Sequence, residues 1–151
     1  MAGQLAEVGD AVVREINRLS GRGEWPARIN AERKYLHEFR LEDTADQFRL
    51  TLSPASRVVN KSSRGDYGQT LRFNVVLSKR THDSENRSLD PLMETVELLQ
   101  DAYSDNHQIM GPPGQVRTQS MALENAYDQV LLEEGNLFVA LLVLDVLVYP
   151  R

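Results

Sequence analysis

An apolar run near the end of the chain, LFVALLVLDVLVY at residues 137–149, leaves few options for the fold. One carboxylate, Asp145, interrupts it, and its 13 residues are too few to cross a bilayer as a helix. A segment that is apolar on both faces is typical of a central strand covered on both sides, although a buried helix has the same pattern. The valines and the following Pro150 favour a strand. We therefore expect an α+β fold in which helices pack on a mostly antiparallel sheet.

The first 20 residues predict an amphipathic helix that Gly21 and Gly23 end. Apolar residues recur there at spacings of three and four, at Leu5, Val8, Val12, Ile16 and Leu19. Residues 24–28 are interpreted as an irregular link. Alternation of apolar and polar residues then indicates half-buried strands around Tyr35 and Phe39, at residues 48–52 and at residues 71–77.

Two stretches, residues 53–68 and 80–89, are rich in polar and basic residues and are predicted to be long loops. Asp90 followed by Pro91 indicates a helix start, because Asp caps free amide groups and proline fits the first helical position. This helix should end near Ser104. Residues 115–120 predict a short edge strand, and residues 126–134 fit either a helical turn or a strand.

Composition narrows the class of protein. A chain of 151 residues has the usual size of one domain, and we take residues 1–151 as a single domain. There is no cysteine, which excludes disulfides, thiolate metal sites and cysteine nucleophiles and is consistent with a reducing cytoplasm. Residues 1–7 do not resemble a secretory signal. The net charge of −5 does not favour nucleic-acid binding by the domain as a whole.

Candidate catalytic residues form no recognisable constellation in the sequence. The three histidines, His37, His82 and His107, lack the spacing of helical metal ligands, and neither a nucleophile elbow nor a phosphate-binding loop occurs. Carboxylates cluster at residues 42–46 and 133–134, which is more typical of a solvated surface. Asp145 needs a partner, water or a raised pKa inside its apolar strand, and we interpret it as a subunit contact or a sheet-edge residue. The sequence predicts no enzyme, no cofactor and no metal site.

Residues 57–66 contain a basic group, Arg57, Lys61 and Arg64, followed by Asp66. Such a group can contact phosphates or the acidic surface of another subunit. Apart from Tyr67 it lacks the aromatic residues that stack on bases, so a protein-contacting loop is the preferred interpretation. We take Arg57, Lys61, Arg64, Asp66 and Asp145 as candidate subunit or partner contacts.

The order of elements resembles that of the tail terminator and tail-completion proteins of long-tailed bacteriophages. The resemblance runs through the amino-terminal helix and the segments FRLTL at 48–52, LRFNVVL at 71–77, DPLME at 90–94 and NLFVALLVL at 136–144. It implies a virion subunit, assembled in the host cytoplasm, that forms a homo-oligomeric ring, commonly a hexamer, on the end of the tail tube. Such a ring stops tube growth and offers a surface for head joining. The implied partners are further copies of the chain, the tail tube protein and a head-completion or connector protein. DNA would only pass through the lumen, and no membrane is involved.

Three alternatives stay open at this stage. A head-completion or connector protein would have similar size and charge. An enzyme would need Asp145 or the carboxylates Glu42, Asp43 and Asp46 to line a pocket. A nucleic-acid-binding module would use the basic group at residues 57–64 and would show steep salt dependence.

Overall fold

A mixed sheet of five strands, in the order β1-β2-β3-β5-β4, forms the frame of the molecule. The structure is a computed structural model that describes residues 3–23, 25–37, 47–61, 67–81, 83–104, 106–112 and 114–149, without the side chains of Asn60, Lys61 and Tyr67. β1 runs parallel to β2, and all other neighbouring strands are antiparallel. This confirms the predicted α+β class with a mostly antiparallel sheet. The bounds of the elements are α1 Gln4–Gly21, β1 Ile29–Arg33, β2 Phe48–Lys61, β3 Tyr67–Arg80, α2 Asn86–Tyr103, β4 Gln115–Asn125, α3 Gln129–Gly135 and β5 Leu137–Tyr149.

β5 is the apolar run, and it is an interior strand between β3 and β4, as predicted. Every second side chain, from Phe138 to Val148, is buried in the main core. The other face of the strand is less covered, since Leu141 is 39% exposed and Tyr149 is 52% exposed. The expectation that both faces are covered is therefore wrong, and the second face is partly open.

The helical layer covers one face of the sheet. α1 contacts β1 and β2, and α2 contacts β4. The predicted amphipathic stripe of α1 is confirmed, with Val8, Val12 and Ile16 fully buried. Gly9 lets the helix approach closely, because a Cβ at this position would lie 2.8 Å from the Arg33 side chain and 3.3 Å from Phe73. This face holds the main hydrophobic core.

α1 also closes the outer edge of the sheet at β1. The Asn17 side chain accepts a hydrogen bond from the Ala31 amide at 2.8 Å and donates one to the Ala31 carbonyl at 3.1 Å. Ser20 Oγ accepts from the Ile29 amide at 2.8 Å. These polar side chains satisfy main-chain groups that an edge strand would otherwise present to another chain.

The structure corrects both predicted loops. Residues 53–61 continue β2, and residues 67–68 begin β3, so the first loop is the end of a β-hairpin; residues 62–66 lie outside the described residues. A bulge between Pro54 and Ser56 explains the misleading pattern, because it interrupts the alternation of apolar and polar residues. Of residues 80–89, Arg80 ends β3 and residues 86–89 belong to α2.

Helix α2 begins at Asn86 and not at the predicted Asp90-Pro91. Pro91 lies inside the helix, near its first turn, where it leaves one carbonyl without its usual amide donor. The predicted end near Ser104 is confirmed, since Ser104 is the C-cap. Residues 126–134, for which the sequence allowed a helical turn or a strand, include most of α3.

β1 occupies residues that the sequence assigned to no strand. Its side chains alternate, with Ile29 and Ala31 buried and Asn30 exposed. The predicted strand around Tyr35 and Phe39 is not found at Tyr35, which follows β1 in a bend; Phe39 lies outside the described residues.

Candidate interaction surface

Asp145, the carboxylate in the apolar run, lies on the open face of the sheet and has a partner within its own chain. Its two oxygens accept hydrogen bonds from Arg72 Nε at 2.8 Å and Arg72 Nη2 at 3.1 Å. Ser120 Oγ is 3.5 Å away on the neighbouring strand. The carboxylate raises the pKa of the exposed Arg72 guanidinium, mainly through the hydrogen bond. Asp145 is thus engaged in a planar two-bond pair with Arg72.

Arg57, the other predicted contact residue whose side chain is described, is not brought together with Asp145. Arg57 pairs across β2 and β3 with Leu71, and Asp145 pairs across β3 and β5 with Arg72. Because directly opposite residues share a face and successive residues alternate, Arg57 and Asp145 lie on opposite faces. Arg57 Nε donates to Gln69 Oε1 at 2.8 Å. The Lys61 side chain, Arg64 and Asp66 lie outside the described residues.

The candidate catalytic residues form no shared site among the described residues. Glu133 and Glu134 are exposed on α3, while residues 38–46 and His82 are not described. His107 Nε2 lies 3.2 Å from Glu15 Oε1, on the helical side of the sheet. Within the described ranges, no group of three or more histidine, aspartate and glutamate residues is arranged to hold a metal ion.

An open cleft of about 350 Å³ lies on the uncovered face of the sheet. Its apolar walls are built by Tyr35, Leu36, Val76 and Leu141, and Glu124 is the acidic residue among its lining. Tyr35 is 73% and Leu36 79% exposed. These are large apolar side chains in water, and such patches commonly mark contact surfaces. The cleft was not predicted from the sequence, because it forms only where the segment after β1 crosses the sheet.

His37 fixes that crossing segment. Its ring nitrogens lie 2.7 Å from Thr51 Oγ1 and 2.8 Å from Ser78 Oγ, two hydroxyl groups of buried residues. Burial of the ring lowers the pKa of His37 from 6.5 to about 4, and the positive charges of Arg49 and Lys34 act in the same direction. The neutral imidazole therefore works as a structural cross-link between the segment and the sheet.

Further large apolar side chains are exposed at the hairpin end of the sheet. Val58 is 52% and Val59 46% exposed, although the two side chains point to opposite faces of β2. Tyr149, at the same end of β5, is 52% exposed. Both faces of the hairpin are therefore in contact with solvent there, which means that it projects beyond the helical layer.

Charge is distributed unevenly across the sheet. β2 and β3 together contain six basic side chains and no acidic one, namely Arg49, Arg57, Lys61, Arg72, Lys79 and Arg80. Residues 118–149, which include α3 and β5, contain five carboxylates and no lysine or arginine, namely Glu124, Asp128, Glu133, Glu134 and Asp145. The net charge of −5 is thus the sum of unevenly placed charges, with a basic pair of strands, β2 and β3, and an acidic segment at residues 118–149.

No family model matches the chain, and no curated protein matches it significantly. None of the helices in the described residues is both long enough and apolar enough to cross a membrane. The class that the fold defines is a single mixed-sheet α+β domain with helices on one face and an open, partly apolar second face.

Proposed function

We propose that this chain is a structural subunit of a bacteriophage virion that forms a ring on the end of the tail tube, stops tube growth and provides the surface for head joining. The observation that supports this best is the open sheet face, with large apolar side chains exposed on it and at the hairpin end. Exposing such side chains to water does not stabilise a monomer, whereas burying them between subunits contributes favourable free energy to assembly.

Two further observations favour assembly over catalysis. Asp145, one of the two carboxylate groups on which the enzyme alternative could rest, is engaged with Arg72 on an open surface. The other group, at residues 42–46, lies outside the described residues. The cleft beside it holds one described acidic residue, Glu124, and a histidine whose two nitrogens already have hydroxyl partners. This lining lacks the arrangement of nucleophile, base and orienting group that catalysis requires. The link to phage tails comes from the order of elements along the chain.

The test is assembly on tail tubes. The purified protein is studied by light scattering over a concentration series, and then mixed with tubes polymerised from the tail tube protein of the same virion. We expect ring-shaped particles, or a monomer that becomes a ring at tube ends in negative-stain images. Tubes should also stop lengthening once the protein is added.

A head-side partner would give a different result. If the purified protein does not bind tubes but binds the portal end of filled heads, the chain belongs to the connector alternative. A monomer that binds neither tubes nor heads would overturn the proposal.

A further inference from the structure

Among the described residues, none makes a main-chain hydrogen bond to the outer edge of β2 beyond residue 52. The last main-chain hydrogen bond on this edge runs from the Lys34 amide to the Leu52 carbonyl at 3.1 Å. Pro54 and the bulge follow, and then residues 55–59, here called the β2 arm, pair only with β3 among the described residues. An unpaired strand edge offers main-chain donors and acceptors to another chain.

The edge at β1 and the first part of the edge at β4 are covered within the chain. Asn17 and Ser20 cover β1. The first part of β4 is covered by residues 106–109, which bond to Val116 and Thr118. The Gln100 side chain reaches the Met121 carbonyl at 3.0 Å. The β2 arm therefore stands out as an edge that the described part of the chain leaves uncovered.

The surface that complements the β2 arm lies on the opposite side of the sheet. Residues 124–134, which comprise the end of β4, the turn after it and most of α3, are here called the acidic side and carry the carboxylates Glu124, Glu133 and Glu134. They also expose two apolar side chains, Tyr127 at 48% and Val130 at 59%. The β2 arm offers the matching chemistry, because Arg57 is followed by the exposed Val58 and Val59 and β2 contains no acidic residue. The two surfaces therefore have opposite charges, and both expose apolar side chains that can pack together.

We propose that the β2 arm of one copy docks on the acidic side of the next copy. Arg57 then faces the carboxylates of Glu124 and Glu134, and Val59, which lies on the same face of β2 as Arg57, packs on Tyr127 and Val130. This rests on the proposed ring function and names the contact that would build the ring. The two surfaces differ, so the contact is heterologous and propagates from copy to copy until a ring closes. A two-fold contact between identical surfaces would place arm on arm, with like charges opposed.

Charge reversal tests this contact. One variant carries Arg57→Glu, and a second carries Glu124→Lys with Glu134→Lys. Each variant by itself should assemble more weakly than the wild type, both in free solution and on tubes, because like charges then meet at the interface. We expect the affinity between copies to fall on the order of tenfold or more. An equimolar mixture of the two variants should assemble again, because each reversed surface meets its complement on the other variant.

Matched control variants lie at exposed positions of α2, an element that belongs to neither surface. Arg87→Glu and Glu97→Lys change the net charge in the same directions on exposed residues of the helical layer. Urea unfolding and far-ultraviolet circular dichroism verify that every variant is folded. We expect the α2 variants to assemble like the wild type.

The outcomes separate the contact from the function. Assembly by the wild type with equal assembly by the Arg57→Glu variant would overturn the docking contact and leave the ring function standing. Loss of assembly in the α2 variants as well, or no recovery on mixing, would also overturn the contact. A wild-type chain that stays monomeric on tubes and binds no heads would remove the proposed function itself.

Discussion

The fate of Asp145 is decided by one neighbour that lies 73 positions away in sequence. In the sequence, a carboxylate between leucine and valine residues predicts a charged group that would be costly to bury without a partner, and a subunit contact is one way to supply that partner. In the fold, the register of β3 and β5 places Arg72 directly opposite Asp145. The carboxylate therefore has its partner within the same chain. Sequence alone does not give strand register, so this partner was not predictable.

His37 makes the stability of the fold depend on pH. Its pKa is lowered to about 4 in the folded state, against 6.5 for an ordinary histidine. Between these values the unfolded chain binds the proton more readily, so stability is lost as pH falls through this window and is unaffected above it. Allowing for the partial exposure of the ring, we expect a loss of roughly 1 kcal/mol between about pH 7.5 and about pH 5.

The measurement is the free energy of unfolding in urea at both pH values, for the wild type and for His37→Gln. Glutamine keeps a donor and an acceptor but does not titrate, so the variant should lose this part of the pH dependence. Glu15, whose pKa is lowered mainly by Arg18, contributes to both proteins and cancels in the comparison. Identical pH slopes in the two proteins would show that His37 does not carry the effect.

At the scale of elements, α3 is a helix of seven residues that depends on its ends. Asp128 caps the first turn by accepting from the Leu131 amide at 3.0 Å. Asn136 ends the helix in the left-handed region, with φ of 50°, and its carbonyl accepts from the Thr81 amide at 2.7 Å. A helix this short has little stability of its own, so its caps and its packing on β5 hold it.

Asp128→Ala should therefore reduce the free energy of unfolding by about 1 kcal/mol, because an amide at the helix start loses its acceptor. Asp128→Asn keeps the cap oxygen and should stay within a few tenths of a kcal/mol of the wild type. Urea titration of the three proteins provides the comparison. Equal losses in the alanine and asparagine variants would mean that the charge of Asp128, and not its cap bond, matters.

The elements that the sequence predicted well are those with an uninterrupted period. α1 shows its apolar stripe over four turns. β5 is a continuous apolar run whose valines and following Pro150 favoured a strand over a buried helix. β2 and β3 were predicted only over the parts that enter the core. Beyond Pro54 the bulge shifts the alternation and both faces meet solvent, so a strand there has the composition of a loop.

The candidate surfaces were predictable in part. Arg57 was recognised from its basic neighbours, although as a loop residue. The acidic side was visible as carboxylates without a role, because Glu133 and Glu134 were taken as a solvated surface. The cleft at Tyr35 and Leu36 was not predictable, since it depends on where the segment after β1 crosses the sheet.

At the scale of the whole molecule, two electrostatic effects oppose each other in assembly. Copies with a net charge of −5 repel each other at long range. At contact, the basic strands β2 and β3 of one copy attract the acidic segment at residues 118–149 of the next copy. Centres of domains of this size lie roughly 30 Å apart in contact, which is several Debye lengths at about 0.1 M salt. The net repulsion is then largely screened, and the attraction between charges a few ångströms apart is not.

We therefore expect assembly to weaken as sodium chloride is raised from about 0.1 M to about 1 M, where the Debye length falls to about 3 Å. Light scattering at fixed protein concentration measures this through the mean particle mass, and the urea midpoint of a non-assembling variant such as Arg57→Glu serves as the control for folding. Apolar burial has the opposite salt response, because salts that are excluded from the surface strengthen it. Assembly that strengthens steadily over this range would mean that the apolar side chains dominate and that the charge asymmetry of the sheet does not guide the contact.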